Sequence, residues 1–275
     1  MASINAQIAF IGSGNMAQAI ARGLIAAGHE AAHIMLADPD KAQLDALRKA
    51  FPNCRITDDN AAAARGADAL VLAVKPQVLP AVAAELGQAT RPENQVVISV
   101  AAGITLASLQ GWFDARTPLI RVMPNTPALI GAGMAGLYAD ERADAEARAL
   151  ATYILDATGE TLWLENEALL DAVTAISGSG PAYFFRIIEI MAETAEEMGF
   201  SAEDAKVLAT RTAMGAGILA ASAEESPATL RERVTSPGGT TAAALQSLDA
   251  NGIRDIFRTA LNAARDRSIE LGQTD

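Results

Sequence analysis

Short apolar runs alternate with stretches of helical spacing through the first half of the chain. Residues 7–11, 34–37, 69–74, 96–100 and 119–122 read as buried strands. Residues 15–27, 41–50 and 78–86 read as helices, and a short helix precedes the last of these strands. Continuous apolar strands separated by amphipathic helices predict a mostly parallel sheet covered on both faces. After about Trp163 the pattern is helical only, with helices predicted over 181–198, 203–220, 227–234, 241–248 and 253–271. Gly199 and Ser201 mark one stop and start, and Ser226-Pro227 marks another. The expected fold is therefore a Rossmann-like, doubly wound α/β domain over residues 1–164 followed by an all-helical domain over 165–275.

Gly12-Ser13-Gly14-Asn15-Met16-Ala17 fits the G-x-G-x-x-G/A dinucleotide fingerprint and lies between the first strand and first helix, the context that fingerprint needs. Asp38 ends the second strand. It suits an acid that binds the adenosine ribose, and equally an N-cap before Pro39. Ala73-Val74-Lys75-Pro76 and Met123-Pro124-Asn125-Thr126-Pro127 leave the sheet at later strand ends, where ligands gather in such folds. Asn125 and Thr126 fit contacts to the nicotinamide ribose or carboxamide, or turn residues bonded to their own backbone.

In the second half, Ser177-Gly178-Ser179-Gly180-Pro181 and Thr235-Ser236-Pro237-Gly238-Gly239-Thr240-Thr241 both run into helices. Each offers backbone amides, hydroxyls and a helix N-terminus, which suits a carboxylate or phosphate. Two such loops in one helical domain point to a substrate site.

The net charge of −12 disfavours nucleic acid and anionic membranes. No apolar run reaches membrane-span length. The start of the chain lacks signal-peptide character, and Cys54 is the only cysteine, so a cytoplasmic setting is expected. His29 and His33 are the only histidines and read as solvated turn residues. Their scarcity argues against a Ser/His or Cys/His nucleophile pair and against a zinc site of usual composition.

Six motifs give the chain a resemblance to pyrroline-5-carboxylate reductases along nearly its whole length. They are Phe10-Ile11-Gly12, Ala73-Val74-Lys75-Pro76-Gln77, Ser99-Val100-Ala101-Ala102-Gly103, Met123 to Pro127, Ser177 to Tyr183, and Thr235 to Thr241. The resemblance implies NADPH or NADH as cofactor and a cyclic imino acid, 1-pyrroline-5-carboxylate, reduced to L-proline. It implies that Ser236 and the Gly238, Gly239 and Thr240 backbone hold the substrate carboxylate, and that Thr241 bonds the ring nitrogen. Glu224 matches an acid near the ring, Ser177 and Gly178 line the pocket, and Asn60 contacts cofactor. It also implies a homodimer built through the helical domain; larger rings of dimers occur in the family.

Two positions depart from the family's pattern. Asp38 replaces a small polar or basic residue, which leaves the coenzyme open. Arg233 stands where some members have asparagine. A β-hydroxyacid dehydrogenase would instead want a lysine on the helix after Gly180, where Pro181-Ala182-Tyr183-Phe184-Phe185 stands. A non-catalytic nucleotide-binding regulator would have no need of the loop from Thr235 to Thr241.

Overall fold

The computed structural model describes residues 5–273 except 90, 91 and 93. Its contacts divide the chain into two compact units. One comprises the chain up to Gly178 together with the segment from Ala264 onward; the other is Ser179–Ala263.

The first unit is built on β1 (Ile8–Ile11), β2 (Ile34–Ala37), β3 (Arg55–Thr57), β4 (Ala69–Leu72), β5 (Val96–Ser99), β6 (Leu119–Met123), β7 (Gly133–Ala139) and β8 (Gly159–Trp163). Among the described residues they form one sheet in the order β3-β2-β1-β4-β5-β6-β7-β8. Only the β6–β7 pair is antiparallel. The order reverses between β1 and β4, which creates the crevice where doubly wound sheets bind ligands.

Strand residues alternate between two separate cores, so both faces are covered. Phe10, Leu36, Val71, Ile98 and Ile120 point to the side closed by α1 (Asn15–Ala26), α2 (Lys41–Ala50) and α6 (Ala145–Asp156). Ile11, Ala37, Leu72 and Val97 point to the side closed by α3 (Asn60–Arg65), α4 (Leu79–Gln88) and α5 (Leu106–Trp112). After β8 come α7 (Leu169–Val173) and a π-helical turn, Thr174–Gly178.

The second unit contains α8 (Gly180–Glu197), α9 (Ala202–Ser222), α10 (Pro227–Arg233) and α11 (Thr240–Ala250). α8 and α9 pack against each other. Gly199, at φ +100°, turns the chain between them, and the Ser201 hydroxyl caps α9 by accepting from the Asp204 amide at 3.1 Å. The Ser226 hydroxyl caps α10 in the same way, with Pro227 as its first residue. The last helix, α12 (Ile253–Gly272), begins in this unit and ends in the first. There the Ser268 hydroxyl donates to the Asp171 carboxylate at 2.7 Å.

One sequence expectation is overturned here. His29 is not a solvated turn residue: it is 3% exposed, and its Nδ1 lies 3.0 Å from the Tyr153 hydroxyl of α6. His33 sits beside it, half-buried. A residue far along the chain closes over this turn, which local polarity gives no hint of.

Candidate functional site

The fingerprint turn is built for a closely approaching ligand. β1 leaves the sheet at Gly12, which has φ +86° and donates its amide to the Ala37 carbonyl at 2.9 Å. A Cβ there would stand 2.7 Å from Val74 Cγ1 and 2.9 Å from the Ala73 carbonyl carbon, so only glycine fits. Gly14 faces open space, where a Cβ would meet nothing within 4 Å. α1 starts behind it with no side-chain cap and no acid in its first turn. Its free amides and positive end therefore fit a pyrophosphate. Asn15 and Met16 occupy this first turn, and Ala17, fully buried, lets the helix lie close on the sheet.

Ser13 faces inward. Its amide and hydroxyl both donate to Asp38 Oδ2, at 3.1 and 2.7 Å. Its carbonyl accepts from the side-chain amides of Gln18 and Gln43, each at 2.9 Å. The loop is thus shaped by the protein itself. Gln18 and Gln43 escaped the sequence reading because ordinary helix-surface glutamines give no local signal.

Asp38 does not cap α2, contrary to one of its two sequence readings. That helix starts at Lys41, and its cap is Asp40, whose Oδ1 accepts from the Ala42 amide at 2.9 Å. Asp38 is drawn to Ser13 instead, and its Oδ1 accepts from the Asp40 amide at 3.1 Å. Two carboxylates therefore stand together at the end of β2. Asn60 opens α3, half-buried, next to its cap Asp59.

Ala73 and Val74 follow β4 directly, and the Ala73 amide donates to Ile11 at 2.8 Å, which ties this segment to the fingerprint. Pro76 is half-buried and Lys75 exposed. Beyond β6, Met123 is half-buried, Asn125 is 9% exposed and Thr126 is exposed. The Asn125 side chain reaches two other segments. Its Oδ1 accepts from the Met134 amide at 2.9 Å, and its Nδ2 donates to the Ser177 carbonyl at 3.0 Å. It makes no cap bond to its own turn.

Arg121 passed unremarked in the sequence, although a lone charge inside an apolar strand is a signal. It is 8% exposed and pairs with Glu167 at 2.9 Å. The same Glu167 oxygen accepts from the Leu106 amide at 2.7 Å, so one carboxylate ties β6 to the start of α5.

In the helical unit, Ser236-Pro237-Gly238-Gly239 forms a tight turn. Proline occupies its second position, Gly238 has φ +70°, and the Gly239 amide donates to the Ser236 carbonyl at 3.0 Å. Gly239 leads into α11 with no side-chain cap. Among the described residues, no hydrogen bond is seen for the hydroxyls of Ser236, Thr240 or Thr241. The Thr235 hydroxyl is turned back to the Arg231 carbonyl at 2.6 Å. A glycine turn, free hydroxyls and a bare helix N-terminus together suit a small carboxylate. Glu224 lies exposed in the bend between α9 and α10. The Arg233 guanidinium meets the adjacent Glu225 at 2.5 Å, so it is engaged within its own unit.

Comparisons with known proteins agree across both units. A family profile described as pyrroline-5-carboxylate reductase dimerisation matches residues 167–271. One described as NADP oxidoreductase, coenzyme F420-dependent, matches residues 7–103. A pyrroline-5-carboxylate reductase of Pseudomonas aeruginosa is 47% identical over 267 residues, 97% of each chain. Among solved structures, a pyrroline-5-carboxylate reductase of Coxiella burnetii superposes with a TM-score of 0.92 at 39% identity, covering 97% of this chain and 98% of that one. The Plasmodium falciparum pyrroline carboxylate reductase with NADP bound gives a TM-score of 0.85 at 27% identity, covering 98% of both.

Proposed function

The chain belongs to the pyrroline-5-carboxylate reductase family, and we propose that it reduces 1-pyrroline-5-carboxylate to L-proline with NADPH or NADH, as the last step of proline synthesis. The observation that carries this reading is the match over 97% of both chains to a relative bearing that name. The bare-ended α1 behind Gly14 and the glycine turn before α11 supply the two binding features such a reaction requires.

The dinucleotide is held by the backbone of Gly12, Ser13, Gly14, Asn15 and Met16. Asp38 and Asn60 face its adenosine side. Ala73, Val74, Lys75, Pro76, Met123, Asn125 and Thr126 form the remaining wall. When bound, the reduced nicotinamide supplies a hydride to the C=N carbon.

Ser236 and the amides of Gly238, Gly239 and Thr240 hold the substrate carboxylate. The Thr241 hydroxyl bonds the ring nitrogen, which takes up the C=N electron pair as the amine forms. Ser177 and Gly178 border the ring, and Glu224 supplies negative charge near an iminium. A protonated imine is already electrophilic, so most of the rate comes from positioning rather than from acid–base groups. The part from Glu165 onward is the substrate-binding and dimerisation region. The assembly is a homodimer or a ring of dimers, working in the cytoplasm.

The test is to mix folded protein with reduced cofactor and pyrroline-5-carboxylate, follow the nicotinamide absorbance and assay proline. No proline with either cofactor would end this reading.

A further inference from the structure

We infer that Asn125 is a positioning residue that sets the π-helical turn carrying Ser177 and Gly178. The inference rests on the proposal that those two residues border the substrate ring. Three observations converge on this turn. First, the buried Asn125 side chain spends its oxygen on Met134 and its nitrogen on Ser177, 52 positions along the chain. The side chains of Asp40, Asp59, Thr105 and Asp144, at equivalent helix starts, bond their own turns instead. Asn125 therefore gives up its local role for a long-range one.

Second, the turn it grips is π-helical, a geometry that leaves backbone groups out of step with their usual partners. Side chains meet the displaced carbonyls: the Thr174 hydroxyl donates to Leu170 at 2.8 Å, and the Ser177 hydroxyl donates to Val173 at 3.1 Å. The Ser177 carbonyl then receives Asn125. Third, the turn lies against the end of β6, at the terminal methyl of Met123. A Cβ at Gly178 would stand 2.6 Å from Met123 Cε. Strand end and turn thus form one unit, and the carboxamide is its polar fastening.

The chemistry requires an amide at this position. Asn125 must accept from one backbone N–H and donate to one backbone C=O at once. Aspartate has the same shape but cannot donate, so its carboxylate would face the Ser177 carbonyl and push the turn away. Displacement of about 1 Å at a positioning element can cost roughly a hundredfold in rate.

The experiment compares wild type, Asn125→Asp and Gln95→Leu in kcat, KM for the imine and cofactor affinity by fluorescence titration. Gln95 is buried, bonds the Ala64 and Ala67 carbonyls at 2.7 and 2.8 Å, and precedes β5 at the opposite end of the sheet. It controls for simple loss of stability. The expected result is a fall in kcat of about ten- to a hundredfold for Asn125→Asp, larger than any loss of cofactor affinity, and a Gln95→Leu variant with kcat retained.

Wild-type kcat in Asn125→Asp overturns the inference, as does an equal loss of kcat in Gln95→Leu. An inactive wild type instead overturns the functional reading beneath it. If Asn125→Asp does not fold, Asn125→Ser takes its place, with the same kcat loss expected. If neither folds, Asn125 is an anchor of the fold and its positioning assignment is overturned.

Discussion

Asp38 stands at the end of β2 with one oxygen on Ser13 and the other on the Asp40 amide. A 2′-phosphate placed near it would meet two carboxylates, Asp38 and Asp40. Between unit charges about 4 Å apart at an effective dielectric of about 20, repulsion is roughly 4 kcal/mol before salt reduces it. Lys41 is the only nearby cation in the sequence. NADH is therefore expected to serve at least as well as NADPH. Asp38→Ser should raise the ratio of kcat/KM with NADPH to that with NADH, while weakening both because Ser13 loses its acceptor. A wild type that strongly prefers NADPH contradicts this. On the substrate side, the unpartnered Thr241 hydroxyl predicts a different signature. Loss of one hydrogen bond to a charged or developing centre is worth roughly 1.5–3 kcal/mol, or about one to two decades in rate. Thr241→Ala should lose that in turnover with little change in cofactor affinity; wild-type kinetics would show it to be only a helix-start residue.

Elements with their own local signal were legible in the sequence: α2 runs over the expected 41–50, and the caps at Ser201 and Ser226 sit where they were expected. β3, β7 and β8 were not anticipated. β7 reads Gly-Met-Ala-Gly-Leu-Tyr-Ala, and glycine argues against a strand. Packing demands it there, since a Cβ at Gly136 would stand 2.9 Å from Val173 on α7. β3 has three residues, too few to show a period. Of the site, the glycine turns were visible as motifs, whereas the bonds of Asp38 and Asn125 join segments that only the fold brings together. The His29 contact with α6 is of the same kind, and it has a pH consequence. Burial, with His33 alongside, lowers the His29 pKa, while Glu30 and a backbone contact at Ala6 oppose the shift more weakly. The unfolded chain therefore binds a proton that the folded one resists. Stability is full above the unfolded value of about 6.5 and falls as pH drops through it towards the folded value. The melting temperature of wild type should fall more between about pH 7 and pH 5 than that of His29→Gln. Parallel curves would remove His29 as the cause.

At the scale of the molecule, the helical unit leaves much apolar surface uncovered. Phe184, Phe185, Val207, Met214 and Ile218 are all exposed, while Ala205 and Ala209 are among the few buried apolar residues of that unit. Unpaired apolar faces of this extent mark an interface, and the dimerisation profile covers the same helices. Light scattering at micromolar concentration should give at least twice the 28.5 kDa of one chain; a monomer mass would refute it. The path of α12 has a further consequence. Because the segment from Ala264 onward belongs to the first unit, with Ser268 on Asp171, the helical unit is an insertion rather than an appendix. A chain divided at the turn over residues 235–241 gives two pieces that each keep a root in the sheet unit. Such a pair is suited to fragment complementation: co-expressed halves should reassemble, and return of hydride-transfer activity would report their meeting.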